Sequence, residues 1–359
     1  MSLFVNVVAV LAGLLGILFY FRSIVRVMLL NRREPDIVEQ VARHVAVSAA
    51  RIFCAGGRDT ERLERAQAWI LPLFILVAVV SWFLLVQLSF SFILLGLKAE
   101  ASWPHAFSSS GSALSTLGYL TPPTLLGEYL ATYEAAIGLA IVTLLFTFVP
   151  GYKAAIQTRE RRVGWLYART GSHPSCSTLL AALMAAGRLD DNQVWRDWEA
   201  WFRGIVETHS LSPVLAYVPS VYRGTTWVAS AAAVLDTASF ALSSLDLKRT
   251  VAIRICRETG ILALSQLSEE LGKAGMSAVV RGEHPDASTV AAFDGLYAHL
   301  AGLGLPLKAD REKCRDAFMA LRSEYLFHLD QVAKATMMPV EEPWYVPEVA
   351  APPHKLTKT

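Results

Sequence analysis

Charge is what this chain lacks over long stretches. Of its 359 residues only 18% are Asp, Glu, Lys or Arg, against roughly 25% in average soluble domains. Met1 to Phe21 holds no charged residue, and neither does Trp69 to Leu97. Cysteine is scarce too. Cys54, Cys176, Cys256 and Cys314 lie far apart with no CxxC pair, which argues for reduced thiols in a cytoplasmic context and against a paired-cysteine metal site. There is no glycine-rich nucleotide fingerprint and no P-loop. No apolar run repeats arginine every third residue, which excludes a voltage-sensor helix. The net charge of +2 is too small to argue for nucleic acid. Strand signals are few and no internal repeat is visible. No acid, base and nucleophile set stands out, so neither an enzyme nor a cofactor is expected.

What is present is apolar and concentrated in the first 152 residues. Met1 to Phe21 is followed, not preceded, by Arg22, Arg26, Arg32 and Arg33, the pattern of a retained anchor rather than a cleaved signal peptide. Trp69 to Leu97 is 29 residues long. At about 1.5 Å per residue it can cross a hydrocarbon core of about 30 Å with tilt to spare. Ala135 to Tyr152 is the third run. Arginines from Arg22 to Arg65 and again from Lys153 to Arg162 flank the same side, while Lys98, Glu100, Glu128 and Glu134 mark the other. The positive-inside rule then predicts three crossings, the N-terminus outside and the long C-terminal part in the cytoplasm of a multi-pass inner-membrane protein. Residues 35–53 carry Val38, Val41, Val45, Ala49 and Ile52 at helical spacing. They read as an amphipathic helix, either on the inner membrane surface or packed on the cytoplasmic domain.

Between the second and third runs, Ala101 to Gly127 carries no charge apart from His105. Pro104 suits a helix start, Ser108 to Ala113 are all small, and Thr116-Leu117-Gly118-Tyr119 follows. The run is too polar to span and too apolar for an ordinary loop. Irregular backbone sits at membrane depth only where protein buries it or where it lines a water-filled cavity. A short helix dipping into the membrane points the negative end of its dipole inward, which favours a cation. Carbonyls of the returning chain can then replace the ion's water shell, and glycine adopts a left-handed conformation there at little cost.

Thr116-Leu117-Gly118-Tyr119 resembles the first four residues of the Thr-Val-Gly-Tyr-Gly filter of the potassium-channel superfamily, in particular the bacterial two-helix pore-loop channels. Pro104 lies twelve residues before Thr116, as in those members, and Pro123 to Gly127 is similar to their lead into the inner helix. The resemblance covers about residues 69–152, a quarter of the chain. It implies an all-α membrane protein with an outer helix 69–97, a pore helix 104–115, a filter 116–120 and an inner helix 129–152. It also implies a homotetramer, because one loop supplies a quarter of such a filter, and permeant K⁺ or Na⁺ at Thr116, Leu117, Gly118, Tyr119 and Leu120. Gly138 stands where the family often has a hinge glycine. The family's second filter glycine aligns with Leu120. A leucine forced to positive φ there would cost roughly 1–2 kcal/mol in each subunit, so ion preference stays open. A non-conducting membrane-anchored sensor or partner-binding protein is the alternative.

Other residues have two readings each. Pro150 and Gly151 are a second bending point of the inner helix. Phe146 and Phe148 form a hydrophobic gate or face lipid. Glu134 is a negative ring near the mouth or an interfacial glutamate. The expected organisation is an N-terminal span 1–30, a linker 31–66, a pore domain 67–152, a helical cytoplasmic domain 153–337 whose ligand is unreadable, and a Pro-rich disordered tail 338–359. In the cytoplasmic part, helices are expected near 176–188, 192–209, 226–247, 249–274, 288–302 and 309–335. Trp195, Trp198, Trp201 and Phe202 read as core. His209 lacks partners at metal-ligand spacing and reads as packed. Trp227 to Leu245 is a fourth span or a buried bundle helix. Asp236 favours the second, since an aspartate at the bilayer centre costs roughly 2.5–3.5 kcal/mol.

Overall fold

The computed structural model describes residues 3–30, 34–54, 60–272 and 287–338. The described residues form eleven α-helices and contain no strand pairing beyond a bridge between Leu245 and Leu307. The chain divides into two compact units, Met1–Ala154 and Ala155–Thr359.

The first unit holds α1 (Leu3–Ile24), a π-helical turn (Val25–Leu29), α2 (Ile37–Cys54), α3 (Thr60–Gly96), α4 (Trp103–Leu114) and the first part of α5 (Leu125–Thr170). Three helices are long and apolar enough to cross a membrane, over Leu3–Leu29, Glu61–Gly96 and Leu125–Thr170. That is the make-up of a multi-pass membrane protein. Small residues set the contact of α1 with α3. A Cβ at Gly96 would lie 2.6 Å from the Asn6 carbonyl, and one at Gly13 would lie 2.6 Å from the Ile93 side chain. Farther along α1, Ser23 accepts a 3.0 Å bond from the Trp82 indole. Rising numbers on α1 meet falling numbers on α3, so the two run antiparallel.

Asp36 starts α2. Its Oδ1 accepts from the Val38 amide at 2.9 Å and from the Ser23 hydroxyl at 2.8 Å, the work of a helix N-cap. The face of α2 that packs on α3 carries Val38, Ala42, Ala46, Val47 and Ala50. Of the stripe expected from spacing, Val41, Val45 and Ile52 point outward instead. Alanines let the two backbones approach closely, which the larger side chains would prevent. The helix therefore packs on α3 of its own unit. Arg32, Arg33, Arg58 and the tail beyond Met338 lie outside the described residues.

The second unit holds the rest of α5, then α6 (Cys176–Ala185), α7 (Asn192–His209), a 3₁₀ turn (Pro213–Tyr217), α8 (Trp227–Ser244), α9 (Val251–Gly272), α10 (Ala287–Gly302) and α11 (Arg311–Thr336). Asp191, Thr226 and Asp310 cap α7, α8 and α11 through side-chain acceptors. α8 is the central helix, packed by α6, α9 and α11, with only Ala229 and Leu242 not buried. Its one acid, Asp236, accepts from Arg322 at 3.2 Å and from the Tyr325 hydroxyl. Trp195, Trp198, Trp201 and Phe202 are all core.

Candidate functional site

The loop after α4 is organised from the helix end outward. The Thr116 amide donates to the Ala113 carbonyl at 2.9 Å. The amides of Leu117 and Gly118 both donate to the Ser112 carbonyl, at 3.1 and 3.2 Å. The Leu120 amide donates to the Ser112 hydroxyl at 2.9 Å. Ser112 thus holds three of the four, a role that no spacing rule suggests in advance.

Those donors fix where the carbonyls go. Each peptide is planar and trans, so its N–H and C=O point in opposite directions. Amides of residues 116, 117, 118 and 120 aimed at α4 leave the carbonyls of Ser115, Thr116, Leu117 and Tyr119 aimed away from it. Left-handed φ values alternate along the same stretch: Thr116 has φ +59° and Gly118 has φ +68°, while the residues between and after them keep negative φ. Such alternation turns successive peptide groups to one side. The strain expected at Leu120 is absent, because Leu120 is not left-handed. It falls on Thr116, a β-branched residue for which positive φ is a genuine outlier, at roughly 1–3 kcal/mol. The side chains of Leu117 and Tyr119 are 73% and 67% exposed.

Behind the loop, α4 is wedged between α3 and α5. Ala106 packs with Leu94 and Ala99, and Leu130 of α5 covers that cluster. One turn on, the Ser110 hydroxyl meets both the Gln87 carbonyl of α3, at 2.9 Å, and the Glu134 carboxyl of α5. One more turn on, Gly138 passes the Leu114 carbonyl so closely that a Cβ would collide with it. Contacts thus recur every four residues on both helices, the spacing of one helix face. Ser109 donates to Glu100, and the Gln87 side chain donates to the Phe107 carbonyl at 3.0 Å. Glu134, read from sequence as a mouth or interface residue, is fully buried. Its acidity in an otherwise apolar helix face was the available signal.

Of the remaining candidate residues, Gly138 abuts the end of α4, where the loop begins. α5 runs unbroken through Gly138, Pro150 and Gly151, and begins at Leu125, four residues before the expected start at 129. A proline inside a helix removes one backbone bond, which apolar helices tolerate. Phe146 is 77% exposed, whereas Phe148 lines an apolar crevice with Met28, Phe74, Ala78 and Trp82. Two positions apart on a helix, the two rings take different faces.

In the second unit, His209 is buried against the Trp227 ring and lies 3.3 Å from the Arg159 guanidinium. That guanidinium also donates to the carbonyls of Leu215 and Val218, at 3.1 and 2.8 Å, and pairs with Glu160 at 2.8 Å. Burial, and then the neighbouring Arg159 charge, hold the imidazole well below its usual pKa, so it is neutral. No group of three metal-ligating side chains occurs among the described residues. Comparisons with family models, with curated proteins and with solved structures returned no match.

Proposed function

We propose that the protein is a homotetrameric membrane channel for monovalent cations, related to the potassium-channel superfamily, with residues 116–120 of four chains forming the filter. The observation that carries this reading is the loop's hydrogen-bond direction. Four amides turned onto the end of α4 leave a run of carbonyls on the opposite, exposed side. Carbonyl rings of that kind replace the hydration shell of an alkali cation. The α4 dipole adds negative potential at the same end. A single loop exposes Leu117 and Tyr119, and burying them takes partner chains. In this reading α3 is the outer helix, α5 the inner helix, and Gly138 or Pro150-Gly151 the bending point. The N-terminus is outside and the second unit is cytoplasmic.

Potassium flux into liposomes holding the purified protein tests the reading. Flux is expected, and Gly118→Ala, which puts a Cβ on a left-handed residue, is expected to abolish it. A protein that passes no monovalent cation under any condition rules the channel out. The competing reading is a non-conducting, membrane-anchored sensor or partner-binding protein. It draws on the departure of Leu120 from the filter pattern and predicts that Thr116 and Gly118 tolerate substitution without loss of function. Subunit counting separates the two further, since the channel requires four chains around one axis.

A further inference from the structure

We propose that Glu134 is a proton-holding positioning residue: as a neutral acid it donates to Ser110 and pins α5 to α4 directly behind the loop. Its effect on ion flux rests on the channel reading; the proton itself does not.

Proton counting at Ser110 is the first argument. The hydroxyl has one hydrogen and two oxygen neighbours, the Gln87 backbone carbonyl at 2.9 Å and the Glu134 carboxyl. A carbonyl only accepts. The Gln87 carbonyl also accepts from the Ser91 hydroxyl at 2.6 Å. Where the Ser110 hydrogen points to Gln87, the contact with Glu134 is a hydrogen bond only when Glu134 supplies the hydrogen. An ionised Glu134 would leave the one Ser110 hydrogen shared between two acceptors, one on α3 and one on α5.

Surroundings are the second argument. Glu134 is fully buried, and its Oε2 has no hydrogen-bond partner among the described residues. A buried carboxylate needs donors on both oxygens or a cation beside it, and otherwise takes up a proton. Among the described residues no cation faces it from any packed element. α3 offers Gln87 and carries no charge from Trp69 to Leu97. α4 has only His105, which is exposed in its first turn. The connection before α4 has Lys98 and Glu100, and Glu100 is bound to Ser109. On α5 itself Glu128 is exposed.

The position gives the proton its consequence. Glu134 lies one turn before Gly138, which abuts the Leu114 carbonyl at the end of α4. Ser110 lies two residues before Ser112, which holds the loop amides. Removing the proton leaves the single Ser110 hydrogen to serve both the Gln87 carbonyl and the Glu134 carboxylate, and weakens the support behind the loop.

Infrared difference spectroscopy of the full-length protein at neutral pH tests the proton. The carbonyl stretch of a protonated carboxylic acid should be present in the wild type and lost in Glu134→Gln. Ser110→Ala should shift that band without removing it, which keeps the test open if Glu134→Gln folds poorly. No such band, or an unshifted band in Ser110→Ala, overturns the assignment. Potassium flux in liposomes tests the consequence. Wild-type flux should fall as pH is raised above neutral, and Glu134→Gln, which stays neutral, should lose that part of the fall. Identical pH profiles overturn the positioning role. Absence of flux in the wild type at every pH refutes the channel reading instead, and the infrared result still decides the proton.

Discussion

Two buried acids divide the molecule. Asp236, in the middle of α8, meets the Arg322 guanidinium and the Tyr325 hydroxyl. Glu134, on α5, meets one serine hydroxyl. Both are fully excluded from solvent. The first is compensated by a cation and therefore fits an ionised state in a sealed core. The second has no cation beside it among the described residues and fits a neutral acid in a wedge of helices. Burial alone does not say what an acid does, and the partner decides.

The contrast can be broken most strongly at Arg322. Arg322→Ala leaves Asp236 buried without its cation, and unfolding by denaturant should show a loss of about 3–5 kcal/mol. Ser110→Ala, the matching change beside Glu134, should lose only about 1–3 kcal/mol, since a hydroxyl and not a charge is removed. A loss as large as that of Arg322→Ala would mean that Glu134 is ionised. Gly138→Val should lose roughly 1–3 kcal/mol in thermal unfolding because its side chain runs into the Leu114 carbonyl.

The second unit should also weaken in acid. His209 holds protons less well folded than unfolded, so the unfolded chain binds more protons once the pH falls below about 6.5. Stability present above that pH should then drop with a slope approaching about 1.4 kcal/mol per pH unit. Chemical unfolding across pH measures the slope, and His209→Gln should flatten it. The smallest effect is expected at Leu120. Because its φ is ordinary, Leu120→Gly should shift stability by no more than about 1 kcal/mol. A large gain would show that the leucine is strained after all.

Much of this was legible from local pattern. Helix α7 occupies 192–209 as spacing and the Asp191 cap indicate, and the other helices of the second unit start or end within a few residues of their expected limits. The length and apolar content of the three candidate spans were equally plain. Less legible was which face of a helix is covered. For α2 the stripe read from spacing leaves Val41, Val45, Ala49 and Ile52 exposed, and the face on α3 is formed by Val38, Ala42, Ala46, Val47 and Ala50. The strain in the loop moved from Leu120 to Thr116 for a related reason. Backbone conformation there answers to the Ser112 acceptors, not to a motif's register.

By itself the sequence determined an all-helical chain, three apolar helices of membrane-crossing length and a polar, glycine-bearing loop between two of them. Hydropathy, periodicity and turn chemistry are properties of neighbours along the chain, so they can be read one segment at a time. Only the tertiary structure decided which way the loop carbonyls face, that Ser112 anchors them, and that Glu134 is sealed behind α4. Those facts depend on Gln87, Ser110 and Glu134 meeting from three different helices, and residues so far apart in sequence come together only through packing.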